Sequence, residues 1–177
     1  SHSAVLYENI IVIFGGMNGK QRLNGTWTFD INTNLFEKME CSGFIPTARS
    51  LHTATVSNDT MYIFGGFVCA DYKTWSCTST LQCLNLDTMT WKNSASIELI
   101  NKKAEPRASH SSFEHHGRIY YWCGRKNSSL TRQAEEGDCW FFDTRPPAPV
   151  AEFQILFTCF NAILIKFSKT FNAVCYL

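Results

Sequence analysis

Three histidines recur with one spacing. His2, His52 and His110 are each followed fourteen residues later by a glycine (Gly16, Gly66 and Gly124), and Arg49 and Arg107 stand three residues before the second and third. Histidine shuttles protons and ligates metals near neutral pH, and arginine captures carboxylates through two parallel hydrogen bonds. The first chemistry needs partners that the sequence does not supply. No carboxylate or cysteine accompanies the histidines at constant spacing, and no Ser-His-Asp set or phosphate-cradling glycine loop is present. Among the eight cysteines (Cys41, Cys69, Cys77, Cys83, Cys123, Cys139, Cys159, Cys175) there is no CxxC pair and no Cys/His cluster with zinc spacing. The expectation is therefore no catalytic residue, no metal and no cofactor, with reduced and mostly buried thiols. Each repeat histidine is expected to be structural, its ring bonding backbone between repeats. His115 and His116, in "FEHHGR", are expected to face solvent.

The elements that must carry these residues emerge from self-similarity. "SHSAVLYENIIVIFGG", "LHTATVSNDTMYIFGG" and "SHSSFEHHGRIYYWCG" align without a gap, and "WTFDINTNLF", "QCLNLDTMTW" and "CWFFDT" follow in the same order. Runs of five or six β-branched and aromatic residues bounded by Gly, Asn, Asp and Ser read as short strands. The fold class is all-β, with four strands per repeat. Asn32-Thr33 and Asp87-Thr88 are expected to form the turns between third and fourth strands. The pairs Gly15-Gly16 and Gly65-Gly66 are expected where the second strand ends close to another backbone or needs a positive φ. The third copy keeps Gly124 but has Cys123 before it.

Composition narrows the partners. The chain has 177 residues, 45% of them hydrophobic and 18% charged, with a net charge of +1 and no basic block. Such a chain builds a core without staples and lacks the electrostatic footprint of a nucleic-acid or anionic-membrane binder. Protein partners are expected, with no direct nucleic acid and no membrane. Three N-glycosylation triplets start at Asn24, Asn58 and Asn127. The opening "SHSAVLYENI" has neither an initiating Met nor a basic n-region, so the chain is expected to be a piece of a longer protein.

The His-bearing inner strand, the strand ending in a glycine pair and the Trp-bearing outer strand, with Trp91 closing the second copy, resemble the kelch repeat over residues 1–144. The resemblance implies β-propeller blades, about 1–45, 46–104 and 105–144. Closed propellers use about four to eight blades, so three repeats are an incomplete ring. "PTARSLHTATVSNDTMYIFGGFV", "WSCTSTLQCLNLDTMTW", "RIYYWCGRKN" and "DCWFFDTRPPAPVAEFQ" resemble the last kelch blades of the host cell factor family, chromatin-associated transcriptional coregulators. There a Pro-rich joint, matched here by residues 145–150, leads into a fibronectin type III module. Residues 151–177 resemble its first part, a partial β-sandwich, since the whole needs about seven strands. Candidate strands are Phe153 to Cys159, Ala162 to Phe167 and Ala173 to Leu177. The longest uncharged run, Phe153 to Ile165, falls short of the roughly twenty residues of a spanning helix.

The resemblance implies a non-enzymatic scaffold of nucleus and cytoplasm. Its propeller would hold short acidic His/Tyr-containing motifs of transcription factors and chromatin-modifying proteins, and its tail would pair with a complementary fibronectin type III half. Arg49, Arg107 and Arg125 are the peptide-binding candidates. The structural repeat residues are His2, His52, His110, Gly15, Gly16, Gly65, Gly66, Gly124 and Trp91. The alternatives are a kelch interaction module of a cell-surface protein or of a ubiquitin-ligase substrate adaptor.

Overall fold

Period-two alternation and tight polar turns make each repeat an antiparallel meander. The computed structural model describes residues 1–69, 75–93, 105–126, 139–145, 153–159 and 162–167, in two units, Ser1–Arg145 and Pro146–Leu177. In the first repeat β1 (Ser3–Tyr7), β2 (Ile10–Phe14), β3 (Thr26–Asp30) and β4 (Leu35–Met39) pair in sequence order. The connection onward holds two short strands, β5 (Ser42–Gly43) and β6 (Arg49–Ser50). The second repeat contains β7 (Thr53–Ser57), β8 (Thr60–Phe64), β9 (Phe67–Cys69), β10 (Trp75–Cys77), β11 (Leu81–Asn85) and β12 (Thr90–Asn93), and the third β13 (Ser111–His115), β14 (Arg118–Trp122) and β15 (Cys139–Asp143). The chain is all-β in its described residues, and its meanders have the form of propeller blades.

Two features were absent from the sequence reading. The second blade has five strands, ordered β5-β12-β11-β8-β7, because β5 from the preceding connection adds in parallel at Thr90 and Trp91. A separate three-stranded sheet, β10-β9-β6, joins the loop after β8 to the entry of the second blade. Asn32-Thr33 and Asp87-Thr88 lie in the turns between third and fourth strands, as expected, but the capping side chains are others. Asn32 and Thr33 donate their backbone N–H groups to the Asp30 carboxylate at 2.8 and 2.9 Å, and Asn85, not Asp87, accepts from Thr88 N–H at 2.8 Å. The capping side chain thus sits on the last strand residue, where it reaches forward over the turn. The left-handed position falls on Asn34 and Met89. Asp87 instead accepts a hydrogen bond from the Tyr7 hydroxyl at 2.7 Å, which pushes that phenol up to about 12.

The core lies between blades. Val12 and Phe14 of β2 pack with Met61, Ile63, Leu84, Leu86 and Trp91 of the second blade. Across the next junction Phe64 and Leu81 pack with Ile119 and Tyr121, flanked by Tyr62, Trp140 and Phe142. Aromatic rings tile both seams, with Phe14 4.9 Å from Trp91 and Phe64 4.6 Å from Trp140 between centroids.

In the second unit β16 (Phe153–Cys159) and β17 (Ala162–Phe167) form an antiparallel hairpin, with a register shift between Ile155 and Phe157. These are the first two tail strands expected from the sequence; Ala173 to Leu177 lies outside the described residues. No helix among the described residues is long and apolar enough to cross a membrane.

Candidate functional site

Each blade is entered through the same short path, and the repeat residues meet there. The backbone of Arg49, at the entry of the second blade, hydrogen-bonds to the first: its N–H donates to Leu23 O at 3.1 Å, and its carbonyl accepts from Gly16 N–H at 2.9 Å. Arg107 repeats this one blade on, donating to Thr78 O at 3.3 Å and accepting from Gly66 N–H at 2.8 Å. Glycine is required at two successive positions. A Cβ on Gly16 or Gly66 would lie 2.9 or 2.8 Å from the Cβ of the repeat's own His2 or His52, and both glycines have positive φ. Gly124 meets His110 in the same way, at 2.8 Å. Gly15 and Gly65 face the following blade instead, where a Cβ would meet the carbonyl oxygen of Arg49 or Arg107.

The arginine side chains turn back into their own blade. Arg49 donates from Nε to Thr47 O, from Nη1 to Gly65 O and Thr80 Oγ1, and from Nη2 to Gln82 Oε1 at 2.7 Å. It is 2% exposed, and burial lowers its guanidinium to about 10. Arg107, equally buried, donates from Nη1 to Cys123 O at 2.9 Å and lies over the Trp140 ring. Both guanidiniums therefore hold strand ends together inside the fold.

The histidines bond across the seam, though not to backbone as expected. His52 Nε2 is 2.8 Å from Ser3 Oγ and His110 Nε2 is 2.8 Å from Thr53 Oγ1, each a hydroxyl on the preceding blade's inner strand. Phe14 and Phe64 present their rings edge-on to these imidazoles. Burial, then the nearby Arg49 or Arg107, pushes His52 down to about 3 and His110 to about 4. Both are neutral at pH 7, and no group of three potential metal ligands occurs among the described residues. His115 and His116 are exposed, as expected.

Arg125 is placed differently from the other two arginines. It follows the third blade's Gly124 as Phe67 follows Gly66, and its backbone exchanges hydrogen bonds with Ala108 at 2.9 and 3.1 Å. Its side chain is exposed and lies 4.8 Å from the centroid of the Phe67 ring. Arg22, from the corresponding loop of the first blade, lies 5.7 Å from the same ring and donates from Nε to Ser50 Oγ at 2.8 Å. Three consecutive blades thus bring two guanidiniums to one aromatic ring. Cation–π contact holds the exposed Arg125 in place and leaves its N–H edge facing solvent. Sequence reasoning named Arg125 but missed Arg22 and Phe67. The signal for Phe67 was its position directly after a glycine pair; Arg22 directly precedes Leu23, which bonds Gly16 O as Thr78 bonds Gly66 O, and the matching position before Thr78 is Cys77.

The kelch form of these blades has a match in sequence. The KLHDC2/KLHL20/DRC7 Kelch-repeats domain model covers residues 1–147. The chain is also 36% identical over 194 residues to host cell factor 1 of Homo sapiens, with all of this chain aligned. The chain belongs to the kelch-repeat family, in its host cell factor branch. Similarity extends to host cell factor 2 of Homo sapiens, 35% identical over 198 residues with the whole chain covered, and to host cell factor of Drosophila melanogaster, 29% identical with 94% covered. The chain spans 10%, 25% and 12% of the lengths of these three relatives. Among kelch features, the glycine pair and the His–hydroxyl bond account for the repeat signature as packing requirements.

Proposed function

We propose that this chain serves as a non-enzymatic interaction scaffold of the host cell factor type. In this reading its kelch blades hold short acidic, His/Tyr-containing motifs of transcription factors and chromatin-modifying proteins, in the nucleus and cytoplasm. The observation that supports it is the exposed Arg125 stacked on Phe67 beside Arg22. An exposed guanidinium on an apolar ring suits a carboxylate followed by an aromatic side chain. Arg49 and Arg107 take part by holding the strand ends that carry this loop face, while Arg125 meets the ligand. Residues 145–150 act as a joint, and residues 151–177 form the first part of a fibronectin type III module that pairs with a complementary half by strand addition.

Fluorescence anisotropy with a labelled peptide bearing Glu-His-Ser-Tyr tests this reading. Arg125→Ala should weaken binding by about 1.5 to 3 kcal/mol, the range for hydrogen bonds to charged groups, with the melting temperature lowered only slightly and the chain still folded at the assay temperature. Equal affinity of wild type and variant, or equal affinity for a peptide in which Ala replaces the Glu, would rule it out.

A further inference from the structure

The residues just before the repeat histidines, Ser1, Leu51 and Ser109, are linked to one another by backbone hydrogen bonds. Leu51 N–H donates to Ser1 O at 3.1 Å, and Ser109 N–H donates to Leu51 O at 2.9 Å. Leu51 and Ser109 both take left-handed backbone angles, φ 58° and 56°. The conformation is therefore a demand of the repeat, and the third repeat meets it with a small polar residue. Glycine would meet it freely, whereas a Cβ crowds a carbonyl oxygen there and a bulky side chain is an outlier.

Among the described residues two large apolar side chains stand at such an angle, Leu51 and Met89. Packing accounts for Met89, which lies against the core of the first junction. Leu51 is half-buried and belongs to neither junction core. Its chain neighbours are instead the residues of the Arg125 site. Ser50, one position earlier, pairs with Phe67 across β6 and β9 and accepts a hydrogen bond from Arg22 Nε at 2.8 Å. Ser109, bonded to Leu51 O, follows Ala108, whose backbone exchanges hydrogen bonds with Arg125. Leu51 is thus joined through backbone both to the aromatic ring and to the exposed guanidinium. Residues kept in strained backbone regions cluster at ligand sites, where the surrounding structure holds them.

We infer, resting on the acidic-motif reading of this site, that Leu51 is a specificity-determining residue: beside the carboxylate that Arg125 takes, its side chain receives the apolar or aromatic residue of the ligand. Leucine offers apolar surface with no donor or acceptor, so it favours a ring or aliphatic group over a polar side chain that would lose its water.

Fluorescence anisotropy of the full chain with the Glu-His-Ser-Tyr peptide, and with the same peptide carrying Ala for Tyr, tests this. Leu51→Gly and Leu51→Asn both suit the left-handed angle, and each should weaken the Tyr peptide at least about fivefold through lost apolar contact, without a lower melting temperature. Leu51→Met, still apolar and of similar volume, should stay within about twofold of wild type. The Ala peptide should bind wild type and all three variants alike. Binding of the Tyr peptide that depends on Arg125 but is equal in wild type, Leu51→Gly and Leu51→Asn would overturn this inference and leave the acidic-motif reading standing. A wild type that does not bind the Tyr peptide would overturn both. A loss in Leu51→Gly and Leu51→Asn that comes with lowered melting temperatures, or that is as large for the Ala peptide, would make Leu51 a structural residue only.

Discussion

Phe36 and Trp91 close equivalent outer strands, yet one is 64% exposed and the other 1%. Trp91 is covered by Phe14 of the preceding blade and flanked by β5, which pairs with its strand. The described residues set no such cover over Phe36. A blade does not bury its own apolar faces; its neighbour does, which is the nearest-neighbour logic of repeat architectures. The strength of any core residue here is thus a property of a junction.

The comparison is broken most sharply by truncating both rings. Trp91→Ala should cost about 3 to 5 kcal/mol, the range for a large buried aromatic, and Phe36→Ala less than about 1 kcal/mol, as for exposed positions. Urea unfolding followed by tryptophan-independent circular dichroism would show it, and equal losses would refute the assignment of the core to the junctions.

A second contrast sets Arg49 against Arg125. Arg49→Ala removes four hydrogen bonds and leaves the buried Gly65 O and the half-buried Gln82 without this donor, so a loss of about 3 kcal/mol is expected. Arg125→Ala removes an exposed ring contact worth about 0.5 to 1 kcal/mol. The melting temperatures of the two variants order them directly.

Acid should weaken the junctions before it protonates the strand ends. His52 and His110 are held neutral down to about 3 and 4, below the ordinary 6.5. The unfolded chain binds their protons first, so this contribution to stability is complete above pH 6.5 and declines as pH falls toward 4. The slope is up to about 1.4 kcal/mol per pH unit for each histidine. His52→Gln, which can still meet Ser3 Oγ, should flatten the curve of unfolding free energy against pH between 6.5 and 4; an unchanged curve would contradict the burial of that ring.

The smallest effect lies in the hairpin turns. Glu8 and Asn58 occupy equivalent turn positions at φ 51° and 55°. Asn tolerates this region better than Glu, so Glu8→Asn should raise stability by about 0.5 to 1 kcal/mol, visible as a small rise in melting temperature. No rise would mean that the first hairpin relaxes its turn where the second does not.

Strand positions, repeat register and the glycine pairs were legible because each is a local demand: alternation sets the strands, and positive φ selects glycine. The turn caps were misplaced by a few residues, since Asp30 and Asn85 end strands and read as strand residues. The small sheet of β6, β9 and β10 escaped notice because two- and three-residue strands carry no periodicity.

What the sequence by itself determined is the kelch repeat, its three histidines and the kinship with host cell factors, all of which rest on residue type at fixed spacing. Only the tertiary structure decided that Arg49 and Arg107 are sealed inside while Arg125 lies exposed on Phe67 beside Arg22. Arginine is compatible with either environment. The choice depends on carbonyls, hydroxyls and rings brought from other strands and other blades, and no local pattern in the chain encodes which of them will be within reach.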